Sequence, residues 1–113
     1  MKSIIDPDKF LPYFRKLDPR FKDLVRAAKV KFERDPASVG FTKVTDFKNL
    51  YSARAGGGKI GIRVLGTKRG DAIVWDWVGS SHAEYETELA RRKRSGIYEA
   101  VALAYEIAYV ETL

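Results

Sequence analysis

The hydrophobic period of this chain changes once, near Gly40, and that change restricts its fold more than any other feature. Before Gly40, apolar residues recur at three- and four-residue spacing; after it they alternate or run on, as strands do. Helices followed by strands within 113 residues imply a single α+β domain.

In the first part, Phe10, Leu11, Phe14 and Leu17 make an apolar stripe over residues 8–17, with Asp6 or Asp8 as its cap and Pro7 near its start. Asp18-Pro19 restarts the pattern. Phe21, Leu24, Val25, Ala28 and Phe32 carry it to about residue 34, where Asp35-Pro36 closes it, because the residue before a proline is pushed out of the helical region. Two antiparallel helices joined by a tight turn are expected. Beyond Gly40, Leu50 to Ala55 reads as a strand, Gly56-Gly57-Gly58 as a hairpin turn, and Lys59 to Leu65 as the partner strand. Gly66 to Asp71 reads as the next turn, and Ala72 to Val78 as a third, central strand ending at Gly79-Ser80-Ser81. Residues 83–94 can begin another helix. The tail, Gly96–Leu113, is apolar on more than one face and reads as a helix that packs on the sheet or on a second copy, giving a homodimer. The expected architecture is an N-terminal helical hairpin on a small antiparallel sheet, with an extra C-terminal helix. The single domain, 1–113, divides into a body over 1–89 and an extension over 90–113.

Charge follows the same division. Residues 1–82 carry seventeen basic and nine acidic side chains, a net +8, whereas residues 83–113 carry four and six, a net −2. A basic body favours a polyanionic partner. The chain has no cysteine and one histidine, which excludes a disulfide framework, thiolate metal sites and most zinc chemistry. The start, Met1-Lys2-Ser3-Ile4-Ile5-Asp6, lacks the apolar run of about 7–15 residues that a signal peptide needs. Glu99 and Glu106 interrupt the tail before it reaches the length of a membrane span. A cytoplasmic protein that does not enter the membrane is expected.

Few side chains are candidates for chemistry. Gly56-Gly57-Gly58-Lys59 is not a phosphate loop, because Ile60 stands where Ser or Thr is required and a strand follows. His82 with Glu84 and Glu86 lacks the ligand set of a metal site, and Glu84, Glu86 and Glu88 read as solvated carboxylates. No cofactor is implied. Arg54 and Arg63 flank one hairpin and so occupy neighbouring antiparallel strands, where like charges repel unless an anion or an acid intervenes. His82 and Tyr85 come directly off the third strand, beside the same face. Two guanidinium groups, an imidazole and a phenol suit phosphodiester cleavage, the arginines holding the phosphate and the histidine moving a proton. The bland readings stand beside these: solvent-facing strand arginines, a histidine capping the next helix, and a tyrosine packed on the sheet edge.

The order of elements, and above all Trp75-Asp76-Trp77-Val78-Gly79-Ser80-Ser81-His82-Ala83-Glu84-Tyr85, resembles the RelE/ParE superfamily of type II toxin–antitoxin toxins, in the subgroup with a Trp-x-Trp-Ile-Gly-x-His-x-x-Tyr-like strand end. This chain has one additional serine before His82, and it continues well past Tyr85, where such toxins often stop. The resemblance covers roughly residues 8–89 and implies a small sheet with a helical hairpin packed on it. On the RelE side it implies metal-free cleavage of messenger RNA by 2′-hydroxyl attack, usually on the ribosome, with a cognate antitoxin as partner. Arg54 and Arg63 would then hold the phosphate, His82 and Tyr85 would transfer or orient protons, and Lys43, Lys48 and Lys59 would contact RNA. On the ParE side it implies a non-enzymatic inhibitor of DNA gyrase. A toxin-like module that only binds nucleic acid or protein is the third reading.

Overall fold

The computed structural model describes residues 1–57 and 59–96. Aspartate–proline pairs set the helices. The Asp6 carboxylate accepts from the Asp8 and Lys9 amides and starts α1 (Pro7–Phe14); the Asp18 carboxylate accepts from the Arg20 amide and starts α2 (Pro19–Arg34). At the far end of α2, Asp35 leaves the helical region before Pro36 and caps a 3-10 turn, Pro36–Val39, which closes on Gly40 in the left-handed region. The first helix is thus shorter than the expected 8–17, with Leu17 buried in the turn that follows it.

Five strands form one sheet in the order β1-β5-β4-β3-β2. They are β1 (Lys2–Ile5), β2 (Thr42–Lys43), β3 (Tyr51–Ala55), β4 (Ile62–Arg69) and β5 (Ala72–Gly79). The meander β3-β4-β5 is antiparallel as expected, and β2 extends it. The purely antiparallel expectation is corrected at the other edge, where β1 runs parallel to β5 with Ser3 opposite Ile73 and Ile5 opposite Trp75. A second correction concerns β4. Lys59 and Ile60 belong to the turn, and Ile60 is exposed, whereas the residues 66–69 expected to turn continue the strand to a tight turn at Gly70-Asp71. From residue 82 to 96 the chain is helical; this helix, α3, crosses residue 90, where the body was expected to end, without a break. Beyond Gly96, the expected tail helix and the homodimer expected through it lie outside the described residues.

A bulge decides how the sheet uses its aromatics. Leu65 pairs with Trp77 and Gly66 with Trp75, so Asp76 is an extra residue on β5. In a regular strand, Trp75 and Trp77 would share a face; the bulge sends them to opposite faces. Trp75 joins Phe10, Val25, Phe32, Ala53, Ala55, Ile62 and Val64 beneath α1 and α2. Its indole N–H donates to Ser3 Oγ at 2.8 Å, which ties β1 to this core. Trp77 joins Val44, Leu50 and Leu65 on the second face, where Tyr85 and Leu89 of α3 cover them. Gly66 is required at the bulge: a Cβ there would lie 2.7 Å from the Val74 carbonyl oxygen and 2.9 Å from the Trp75 ring. Gly66→Ala is therefore expected to destabilise the fold by about 1–3 kcal/mol in chemical denaturation, by overpacking. Gly57→Ala, where a Cβ meets nothing within 4 Å, is expected to be neutral.

Candidate active site

The second face of the sheet carries the candidate residues at the end formed by the finish of β3, the start of β4 and the finish of β5. On β3, Ala53 and Ala55 point into the first core, which sends Arg54 to the second face. On β4, Ile62 and Val64 do the same for Arg63. The register places Arg54 directly opposite Arg63. Among the described residues, neither guanidinium has a carboxylate within 4.0 Å. Burial pushes the Arg63 guanidinium below the usual arginine range, and the like charge of Arg54 pushes the same way, with Tyr85 opposing. Two cations held side by side without an acid make a site that favours an anion.

Tyr85 and His82 reach this place because of the turn after β5. Gly79 lies opposite Arg63, and a Cβ on it would fall 2.3 Å from the Trp77 ring, so only glycine lets that indole fold back along the strand. Ser81 then caps α3: its hydroxyl accepts from the Glu84 amide at 3.1 Å, while the Glu84 carboxylate accepts from the Ser80 amide at 3.1 Å. This resembles a capping box with its return bond shifted to the residue before the cap, and the serine that departs from the toxin pattern is part of it. His82 is thus the first residue of α3 rather than its cap, and its amide nitrogen lies 3.8 Å from where a Cβ on Gly61 would be. The His82 side chain is 74% exposed, with Nε2 3.3 Å from Glu86 Oε1. One turn on, the Tyr85 ring meets Trp77 at 6.5 Å, His82 at 6.2 Å and the Arg63 guanidinium at 5.7 Å. Arg63, Tyr85 and His82 thus adjoin, and Arg54 stands opposite Arg63 at the open edge of β3.

The three lysines divide differently. Lys59 lies in the exposed hairpin turn at the same end of the sheet. Lys43 pairs with Tyr51, on the face that carries Phe41 and the first core, and so does not share a face with the arginines. Lys48 precedes Asn49, whose side-chain amide donates to the Lys68 carbonyl and accepts from its amide. Lys68 is five residues along β4 from Arg63, roughly 16 Å at strand rise. Lys48 therefore stands at the other end of the sheet.

Sequence reasoning missed what holds α3 in place. Glu88, read above as solvated, is 6% exposed, and this corrects that reading. It accepts from Arg91 at 2.7 and 2.8 Å and from Arg92 Nε at 2.8 Å, while Arg92 also donates to both oxygens of Asp76 in the bulge, at 2.7 and 3.4 Å. Burial alone would push the Glu88 carboxyl up; the hydrogen bonds from Arg91 and Arg92 outweigh it and hold the carboxyl below its ordinary range. For Arg92, burial pulls down and the bonds to Asp76 and Glu88 pull up more strongly, so it stays charged. The signal was present: a glutamate with arginines three and four residues on, and one acid inside an apolar strand.

No protein-family model matches the sequence, and no curated protein does. Solved structures do resemble it. One is a chain of the RelB-RelE antitoxin-toxin complex from Methanococcus jannaschii, with a TM-score of 0.58 and 13% identity over 74% of this chain and 96% of that one. Another is a free-state E. coli RelE toxin with two arginines replaced by alanine, at 0.57 and 18% over 80% and 95%. The isolated E. coli RelE toxin follows at 0.53 and 17% over 80% and 96%. The fold is RelE-like. At these identities the likeness is one of fold, and a fifth or more of this chain lies outside it. Within the RelE-like sheet, the arginine pair is at one end and α3 lies on the same face, over Leu65 and Trp77, leaving Arg54 exposed and Arg63 half-buried. Among the described residues, no helix is long and apolar enough to cross a membrane.

Proposed function

We propose that this chain is the toxin of a type II toxin–antitoxin system, acting in the cytoplasm as a metal-independent, ribosome-dependent endoribonuclease that cuts messenger RNA and so stops translation. The observation that carries the reading is the directly opposed pair Arg54–Arg63, without a carboxylate partner among the described residues, and continuous with Tyr85 and His82. The RelE-like fold supports the toxin class, and fold alone does not choose its chemistry.

In this reading the guanidinium groups grip the non-bridging oxygens of the scissile phosphate and stabilise the charge that develops on them. The RNA 2′-oxygen bonds to phosphorus while the bond to the 5′-oxygen breaks, leaving a 2′,3′-cyclic phosphate and a 5′-hydroxyl. One proton must leave the 2′-hydroxyl and one must reach the 5′-oxygen. Tyr85 and His82, neighbours one helical turn apart beside Arg63, are the groups placed to exchange those protons. Lys59 adds a contact at the same end. The partner expected in the resting cell is an antitoxin, whose acidic or amphipathic segment would neutralise this basic end, as a RelB antitoxin accompanies RelE in the Methanococcus jannaschii complex.

Induction of the full chain in a bacterial host tests the reading. Translation arrest with cut transcripts is the expected result. An SOS response with intact transcripts would instead indicate gyrase inhibition, and normal growth would indicate a binding module.

A further inference from the structure

Arg54 faces a second feature besides Arg63. A cleft of about 340 Å³ lies between α2 and the outer side of β3, lined by Leu24, Ala27, Ala28, Lys31, Gly40 and Arg54 among others. Leu24, Ala27, Ala28 and Lys31 form one stripe of α2, at helical spacing i, i+3, i+4 and i+7. Opposite them, β2 pairs only with Tyr51 and Ser52, so the end of β3 is uncovered and Arg54 stands at an open edge. Gly40 makes the approach possible. It holds φ +63°, where side chains are strained, and the Arg54 stem passes 3.8 Å from the place its Cβ would take. The lining is amphipathic: an apolar floor on α2, with the cations Lys31 and Arg54 at its rim and no acidic residue in it. Lys31, like Arg54, has no carboxylate within 4.0 Å among the described residues.

We propose that this cleft is a subsite for the RNA nucleotide next to the scissile phosphate, its base on the Leu24–Ala27–Ala28 floor and its phosphate on Lys31 and Arg54. The proposal rests on the ribonuclease reading and deepens it. A cleft of this volume is of the size that takes a small ligand, and its charge selects an anion. Arg54 belongs to both places, gripping the scissile phosphate with Arg63 on one side and bordering the cleft on the other. The strand would thus pass round the open edge of β3, from Arg63 to Lys31. Recognition in the cleft contributes to binding and to the choice of cleavage position more than to the chemical step.

The test measures binding of the full chain to a short fluorescent RNA with a 2′-deoxy nucleotide at the cleavage position, which removes the attacking hydroxyl. Ala27 is exposed on α2, so Ala27→Trp fills the cleft without disturbing the core. Ala27→Trp and Lys31→Gln are each expected to weaken binding roughly tenfold, and Lys31→Gln to lower the salt slope by about 0.7, one phosphate contact on a single strand. Lys22→Gln removes the same charge from α2 at a site where its ammonium stands over the Phe14 ring, and is expected to leave binding unchanged. Wild-type affinity in Ala27→Trp, or equal losses in Lys31→Gln and Lys22→Gln, would overturn the proposal. Equal competition by free adenosine monophosphate would also overturn it, in favour of a free-nucleotide site. These failures are separable from failure of the ribonuclease reading, which Arg63→Ala addresses.

Discussion

Arg63→Ala is expected to abolish killing by this protein while leaving its fold about as stable as before. In the proposed ribonuclease the arginine would supply charge that stabilises the transition state at the paired-strand end of the sheet, and removing one such donor costs about 10²–10³ in rate. Its effect on stability is small, because two contributions oppose each other. Arg63 faces Arg54 directly, and like charges opposite one another on antiparallel strands are destabilising by roughly 0.2–1 kcal/mol. Removing one relieves the other, and this offsets the loss of the guanidinium's contact with the Tyr85 ring at 5.7 Å, worth about 0.5–1 kcal/mol. Thermal unfolding and cleavage assays on one preparation separate the two effects. Arg63→Lys keeps a cation but loses the planar fork, and is expected to recover only part of the activity. A variant that loses activity because it unfolds, or one that kills as wild type does, would contradict the assignment.

Arg92→Ala is expected to produce the largest stability loss of any single charged-residue change in the described part of the chain. It removes the group that joins Asp76 in the bulge to Glu88 on α3 and leaves two largely buried carboxylates facing its place. Breaking a buried pair by deleting one partner costs about 3–5 kcal/mol, a large share of the roughly 5–15 kcal/mol that holds a domain together. Arg94→Ala, on the exposed side of the same helix, is expected to change stability by less than about 0.5 kcal/mol. The same cluster sets an acid limit. The Glu88 carboxyl in the folded protein is held below its ordinary value of 4.5, so its contribution is complete above that value. It is lost as the pH falls below 4.5 and through the folded pKa. Denaturation midpoints measured between pH 7 and 3 should therefore fall on the acid side, and Glu88→Gln should flatten that fall while lowering stability at neutral pH. Because α3 carries His82 and Tyr85, the loosened variant should also lose activity.

Much of this was legible in the residues. The change of period at Gly40 located the helical hairpin and the three-strand meander, and the aspartate–proline pairs placed the helix ends. The pairing of Arg54 with Arg63 followed from one short hairpin. What stayed hidden depends on contacts distant in sequence. Lys2–Ile5 is too short to declare itself a strand, and its partner on β5 lies some seventy residues away. Gly66 to Arg69 has the composition of a turn, yet a bulge turns its glycine to use inside β4. The same bulge defeats the rule that residues two apart in a strand share a face, which is why Trp75 and Trp77 serve different cores. Glu88 read as solvated because burial of a carboxylate depends on Arg92 and Asp76 meeting it, and Asp76 comes from another element. Lys43 and Lys48 show the limit of charge as a guide: both are basic and exposed, and register sends one to the other face and the other to the far end.

RNA cleavage at the Arg54–Arg63 end of the sheet is the proposal on which the other expectations rest. The most direct measurement adds purified full-length protein to ribosomes programmed with a defined messenger RNA and determines the ends of the products. Cuts bearing a 2′,3′-cyclic phosphate and a 5′-hydroxyl are expected, reduced about a hundredfold or more with Arg63→Ala. Intact messenger RNA with wild-type protein, or equal cleavage by Arg63→Ala, would contradict that proposal.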